Sequence, residues 1–434
     1  SFSKVSVVSG SNHYSGFIGL YSFASADQGI TPAFYWDAGL PAYPLPPQIN
    51  PAFSNNQNVD FWNYQDATRA PEAMNWTLSI QRQITPNTII EAAYNAVVGI
   101  HLQAGLLNLN QVPTAIYNNL VAQYGPTQAL NLLRADINSP QARAANIPIP
   151  YPNFTDSTVQ RFRTVNQALR PYPQYLTVST ADQGGDKSGH SSYHALVIKA
   201  QRRLSAGLTF QWNYTFSKVL TNADTYYANT GLSQDQYNRG LEKSIGQFDQ
   251  THVAKFSTIY ELPFGRGKRW LTQGVGSYVL GGWRLGAIQI YSSGMPIALT
   301  RNNPLPIFNG QDRPYITTYD GWRAPTQSGS FDPKADLFFN KAVFPAQPNY
   351  LFGNATRYNP KMRTFPNLNE DVSLGKSFHF GESWHLDFRA EAFNLFNRVV
   401  FGLPDANLDS KTFGVVSRQA NNARQMQLAL KLYW

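Results

Sequence analysis

The last thirteen residues, 422–434, read NARQMQLALKLYW and constrain the fold more than any other stretch. Met426, Leu428, Leu430, Leu432 and Trp434 occupy alternate positions, with Gln425, Gln427, Ala429, Lys431 and Tyr433 between them. Successive side chains of a strand point to opposite faces, so this spacing predicts a β-strand with one apolar and one polar side. The pattern recurs. Met74, Trp76, Leu78 and Ile80 alternate with Asn75, Thr77, Ser79 and Gln81, and after a turn at Thr85-Pro86-Asn87 Ile90, Ala92 and Tyr94 alternate with Glu91 and Asn95. His194, Leu196, Ile198 and Ala200 alternate with Ala195, Val197, Lys199 and Gln201, and beyond Ser205-Ala206-Gly207 Leu208, Phe210, Trp212, Tyr214 and Phe216 alternate with Thr209, Gln211, Asn213, Thr215 and Ser217. Further strands are predicted over 14–24, 251–262, from Gly282-Trp283 onward, over 368–380 and over 384–396, where Trp384, Leu386, Phe388, Ala390 and Ala392 share a face. The total is ten or eleven strands, an all-β antiparallel fold.

Charged residues make up 14% of the 434-residue chain, against about 25% in ordinary globular domains, while aromatic residues also reach 14%. A chain so rich in rings and poor in charge must cover an apolar environment. No run approaches the roughly 18 apolar residues of a membrane-spanning helix, and mean hydropathy is −0.35. Composition taken alone favours a soluble all-β protein; a membrane barrel, where only alternate residues meet lipid, accounts for the aromatics as well. The absence of cysteine fits an envelope protein, and the net charge of +9 is scattered without a basic stripe, which argues against nucleic acid as a partner.

Connection lengths separate the two readings. Short connections are predicted at 85–87, 204–207, 263–281 and 381–383, and long ones at 27–71, 99–173, 221–247, 296–366 and 397–421. Pro126 and Pro140 open short helices over 127–136 and 140–145, so 99–173 reads as a functional loop or small cap. Short periplasmic turns and long extracellular loops give such an alternation in a transmembrane barrel, and a soluble sandwich has no reason to keep its long loops on one side. Eleven strand residues at about 3.3 Å rise and about 40° tilt cover roughly 28 Å, close to the roughly 25 Å apolar band of such barrels. Arg82 and Arg202 fall in the apolar register only at strand ends, where a lipid-side cation costs about 0–1 kcal/mol. Trp434 is then expected in the periplasm.

Several stretches resemble the TonB-dependent outer-membrane transporters of the Oar-like kind, whose full-length members carry a carboxypeptidase-regulatory-like N-terminal domain. These are GITPAF at 29–34, NWTLSIQRQ at 75–83, LRPYPQY at 169–175, YHALVIKAQRR at 193–203 with YTFSK at 214–218, YELPFGRGK at 260–268, GGW at 281–283, RAEAFNLFN at 389–397, and the terminal strand. They occur in family order over nearly the whole chain. The resemblance implies a barrel of 22 strands with an N-terminal plug. This chain carries about half that number and none of the plug, TonB-binding or regulatory segments, so it is expected to be the C-terminal portion of the barrel, with 99–173 and 296–366 as large extracellular loops. It implies as partners outer-membrane lipid, the barrel-assembly machinery, an unidentified extracellular ligand, and TonB only through the missing N-terminal region. Met426, Leu428, Leu430, Leu432 and Trp434 would form the assembly signal. A surface adhesin or structural barrel without transport is the alternative.

Enzyme chemistry finds little footing. Asp387, Arg389 and Glu391 share the polar side of one strand, but Asp387 and Glu391, four residues apart, are about 13 Å apart, beyond the roughly 5–9.5 Å of paired glycosidase carboxylates. Together with Glu91, Lys199 and Gln211 they read as lumen-facing residues. His190 and His194 have the same spacing and cannot chelate one metal from a regular strand. Asp182 and Asp186 lack the EF-hand spacing, and Gly265-Arg266-Gly267-Lys268 lacks that of a P-loop. Arg266, Lys268 and Arg269 fit inner-leaflet headgroups, and Trp283 and Trp384 an interfacial girdle. No cofactor or metal is expected.

Overall fold

The computed structural model describes residues 4–7, 21–42, 51–60, 69–104, 109–156, 160–179, 186–224, 234–302, 312–346, 352–380 and 383–434. Strands β1 (Lys4–Val7) and β2 (Tyr21–Ala24) pair with each other, and β3 (Gln57–Asp60) pairs in parallel with β6 (Tyr175–Ser179). The strand expected over 14–24 lies mostly outside the described residues, and its last four residues join β1, not the main sheet.

One antiparallel sheet dominates. Its neighbours run β4 (Glu72–Thr85), β5 (Thr88–Leu102), β7 (Gly189–Ser205), β8 (Leu208–Thr221), β10 (His252–Glu261), β11 (Trp283–Ser292), β12 (Asn367–Phe380), β13 (Trp384–Phe393) and β14 (Gln425–Tyr433), with the two-residue β9 (Ser244–Ile245) added beside β8. Each of these nine strands pairs with the next along the chain, the up-and-down order that short turns permit. Among the described residues the sheet does not close: β4 pairs only with β5, and β14 only with β13. The β7–β8 turn is two residues long, with Ala206 at φ 53° and Gly207 at φ 81°, the left-handed pair that matches strand twist in tight hairpins. A side chain at Gly207 would also meet the Glu261 carbonyl oxygen, 2.7 Å from the position of its Cβ.

Pairing register sorts every side chain to one of two faces. Met74, Trp76, Leu78 and Ile80 lie opposite Val98, Ala96, Tyr94 and Ala92, and Leu196, Ile198 and Ala200 lie opposite Phe216, Tyr214 and Trp212. The apolar face continues through Phe256, paired with Trp212, to Leu386, Phe388 and Ala390, paired with Leu432, Leu430 and Leu428. Phe210 and Trp212 stack with ring centroids 4.2 Å apart, and Trp212 meets Phe256 edge-on within the same layer. Leu196, Trp212 and Leu430 of this layer are exposed, whereas the inner face of a sandwich would bury them.

The connections at 86–87, 206–207, 262–282 and 381–383 leave one end of the sheet, and those at 103–188, 222–251, 293–366 and 394–424 the other. The long ones are folded. Helices α1 (Thr114–Tyr124), α2 (Pro126–Arg134), α3 (Pro140–Ala144) and α4 (Val165–Ala168) pack Tyr117, Leu130, Leu133, Phe154, Phe162 and Val165 into one core. A second core joins Ile297, Leu299, Phe338, Phe339 and Met362 to Phe413 and Val416, so the connections after β11 and β13 fold together. The most deeply buried large side chains therefore lie mostly above the sheet, in its connections. The short connection predicted over 263–281 holds a fifth helix, α5 (Gly274–Leu280).

Candidate functional site

Opposite the apolar face lies a polar one. Glu91 pairs with Lys199, Lys199 with Asn213, Asn213 with Lys255, Lys255 with Ile290 and Ile290 with Asn369; further along β12, Ser377, Gly375 and Ser373 pair with Asp387, Arg389 and Glu391. Paired residues share a face, so Glu91, Lys199, Gln211, Asp387, Arg389 and Glu391 all lie on this side. They form two groups. Lys199 Nζ lies 3.6 Å from Glu91 Oε1, and Gln211 sits between Gln201 and Ser257. Arg389 pairs with Glu391, which also accepts from Gln427, while Ser377 Oγ donates to Asp387 at 2.5 Å. From β7 to β13 is five strand spacings, about 24 Å along the sheet, so the structure does not unite the six in one site.

Clefts lie at both ends of this face. Near the short connections, one of about 620 Å³ brings Asp387 and Arg389 together with Glu261, Arg284, Ser377 and His379. Glu261 accepts from Lys268 Nζ at 2.8 Å and lies 3.9 Å from Arg284. The sequence singled out neither Glu261 nor Arg284; the pairing register puts both on the polar face, and they line the same cleft as Asp387. At the other end, a cleft of about 690 Å³ lies between the sheet and the second loop core, lined by Phe248, Met295, Ile297, Phe365, Leu403 and Arg418.

Buried ion pairs fasten the long connection after β11 to the one after β8. The Arg357 guanidinium pairs with Asp224 and donates to the carbonyls of Thr221 and Glu242. Arg313 spans both Glu242 oxygens at 2.9 and 3.2 Å, and Arg363 donates to Asp249 Oδ2 at 2.5 Å and to Thr251 Oγ1 at 3.0 Å. Burial pushes the Asp224 carboxyl up and Arg357 opposes the shift; Asp312, buried 3.5 Å from Arg301 Nε, is pushed up to about 6 by burial. These partners lie 71 to 136 residues apart for Arg313 and Arg357, a separation without local sequence signal.

The remaining sequence candidates disperse. His194 Nδ1 lies 2.7 Å from the Tyr94 hydroxyl on the apolar face, and His190 is engaged through its backbone by Asn222. Asp186 accepts from Ser188 and Arg239, and Asp182 lies outside the described residues. Among the described residues no three His, Cys, Asp or Glu side chains cluster as a metal site, and no helix is long and apolar enough to cross a membrane. Trp384 and Trp434 lie 6.5 Å apart, centroid to centroid, at the short-connection end.

A sheet with one continuous apolar face, one charged face and all its short turns at one end has the construction of a membrane barrel wall. The Outer membrane beta barrel domain family matches residues 4–427, and the chain belongs to that family, which places it in the bacterial outer membrane. Comparison with curated proteins gave no match. Among solved structures, the chain is similar to the outer membrane transporter YddB from Escherichia coli, at 10% identity and a TM-score of 0.40, over 87% of this chain and 34% of that one. It is similar to the ferric-catecholate import receptor Fiu from K12 E. coli at 11% identity and a TM-score of 0.35, over 88% and 30%. For the ferripyoverdine receptor of the outer membrane of Pseudomonas aeruginosa the values are 9%, 0.34, 87% and 29%. The chain thus spans about a third of the length of these transporter structures.

Proposed function

We propose that this chain is the C-terminal wall of a TonB-dependent transporter barrel of the Oar-like kind, about half of its 22 strands. The apolar face meets lipid and the polar face, with Glu91, Lys199, Gln211, Asp387, Arg389 and Glu391, lines the lumen. The long connections, 99–173 and 296–366 foremost, face outward and receive the ligand, and Trp434 ends in the periplasm. The observation that supports this reading is the open sheet, whose outer strands β4 and β14 each have one bare edge among the described residues: lipid offers no partner to a row of unpaired strand amides, so a membrane wall requires further strands beside β4 and β14. The ordered motifs from GITPAF to the terminal strand support the Oar-like assignment.

The reading frame upstream of Ser1 tests the transport half. A plug domain with a TonB-binding segment is expected there, and a cross-link between that segment and TonB in whole cells is the measurement. An upstream frame without a plug would replace transport by a surface adhesin or structural barrel, in which the folded loops bind a partner and nothing crosses.

A further inference from the structure

Residues 262–282 read LPFGRGKRWLTQGVGSYVLGG, with three cations and no carboxylate. The segment wraps the rim of the sheet and is held from both sides. On the polar face Lys268 Nζ reaches Glu261 at 2.8 Å. On the apolar face Lys376, paired with Trp283 and Phe388 and only 7% exposed, directs its ammonium at the carbonyls of Tyr278 and Val279 in the last turn of α5, and Trp283 Nε1 donates to Val279 O at 2.9 Å. A cation at a helix C-terminus satisfies carbonyls that the helix leaves open, and this use offsets part of the cost of a lysine in an apolar register. The chain crosses itself at Gly265 and Gly281, where a Cβ on Gly281 would stand 2.6 Å from Gly265 Cα, so the loop is fixed against the sheet.

What this fixed loop presents is apolar. Val275 is 79% exposed, Tyr278 63% and Val279 58%, with Leu280, Trp270 and Leu271 also exposed. Beside them Arg266 stacks on Tyr278, 5.0 Å from the ring centroid, and donates to its hydroxyl at 3.0 Å, while Arg269 lies over Trp270 at 5.2 Å. Among the described residues neither guanidinium is paired with a carboxylate. Apolar side chains bordered by ring-held cations and continuous with the apolar face at Trp283 and Phe378 match an acyl-chain boundary beneath anionic headgroups.

We propose that residues 263–282 form an in-plane anchor for the lipid leaflet at the short-connection end, with Arg266 and Arg269 binding anionic phospholipid phosphates. This rests on the reading that the apolar face meets lipid. The chain contains no cysteine, so single reporters can be placed at will. Val275→Cys and Val279→Cys, with Leu196→Cys on the apolar face and Leu337→Cys at the long-connection end as references, carry nitroxides in the full chain reconstituted into phosphatidylethanolamine–phosphatidylglycerol vesicles. Collision with oxygen and with a water-soluble nickel chelate reports depth. Labels at 275 and 279 are expected shielded from the chelate and shallower than the label at 196. Replacing Arg266 and Arg269 by Gln is expected to weaken the docked state about fivefold per arginine, an effect of about 1 kcal/mol each, and only when phosphatidylglycerol is present. Labels at 275 and 279 as accessible as that at 337, with 196 shielded, would overturn the anchor and leave the membrane reading intact. A water-accessible 196 would overturn both. Shielding indifferent to the arginines and to phosphatidylglycerol would remove the phosphate site.

Discussion

Leu430 and Lys431 are adjacent in sequence and meet different surroundings: Leu430 faces Phe388 on the apolar side, and Lys431 faces Asp387 on the polar side with its ammonium 4.6 Å from the Tyr433 ring centroid. Leu430→Arg places a cation about four residues from the strand end, and insertion should cost about 1–3 kcal/mol, between the interfacial and midplane values for a lipid-side cation. Lys431→Leu should cost far less. Deleting Trp434, which is 82% exposed beside Trp384, should lower the amount assembled without lowering synthesis. Heat-modifiable protein in outer-membrane fractions of a full-length parent measures all three, and equal assembly of Leu430→Arg, the Trp434 deletion and the parent would remove the terminal strand from its role. The faces of these residues were legible because a strand has a period of two, and parity alone assigned all six charged or amide positions to one side. Which of them touch was not legible, because contact between Arg284 and Glu261 or between Gln427 and Glu391 depends on register between strands.

At the scale of elements, alternation located the strands of the sheet to within a few residues at most ends, and the two prolines placed α2 and α3, where Pro140 follows the capping hydroxyl of Ser139. Helix α1 escaped because it follows Pro113, carries no side-chain cap and shows only weak amphipathicity, and α5 because its glycines read as loop. The two loop cores escaped for a different reason: Phe339 stacks on Phe413 at 4.9 Å, a contact between connections that the sequence separates by two strands. What joins the connection after β11 to the one after β8 can be broken selectively. Arg357→Ala leaves the buried Asp224 carboxylate without its cation, and loss of one member of a buried pair costs about 3–5 kcal/mol. The Asp224 carboxyl is already raised by burial, so in the variant it can shed its charge by taking a proton as the pH falls. The connection 352–366 should therefore exchange its amides faster in Arg357→Ala at pH 8 than at pH 5, relative to the parent chain after correction for intrinsic rates. A defect of equal size at both pH values would mean that Asp224 does not carry it.

For the whole molecule, the governing fact is that, among the described residues, the nine strands of the main sheet make a wall that does not close on itself. In β4, from Glu72 to Thr85, half of the amides face β5 and the other half point away from the sheet, and every residue of the strand is exposed. The same holds for the outer edge of β14, where only Tyr433 is partly covered. Among the described residues no segment pairs with these edges, so under the proposed reading they specify what further strands must supply: one partner for β4 and another for β14. In the chain alone, held in detergent, the outward amides of both strands are expected to exchange within seconds, while the amides paired with β5 and β13 remain protected. In a longer parent that carries the upstream strands, both sets should become protected together, since closure leaves no edge. Residue-resolved hydrogen exchange on the two chains is the measurement. Uniform protection of β4 and β14 in the chain alone would show that it closes on itself or on a second copy, and outward amides that stay fast in the parent would show that the added strands complete something other than this sheet.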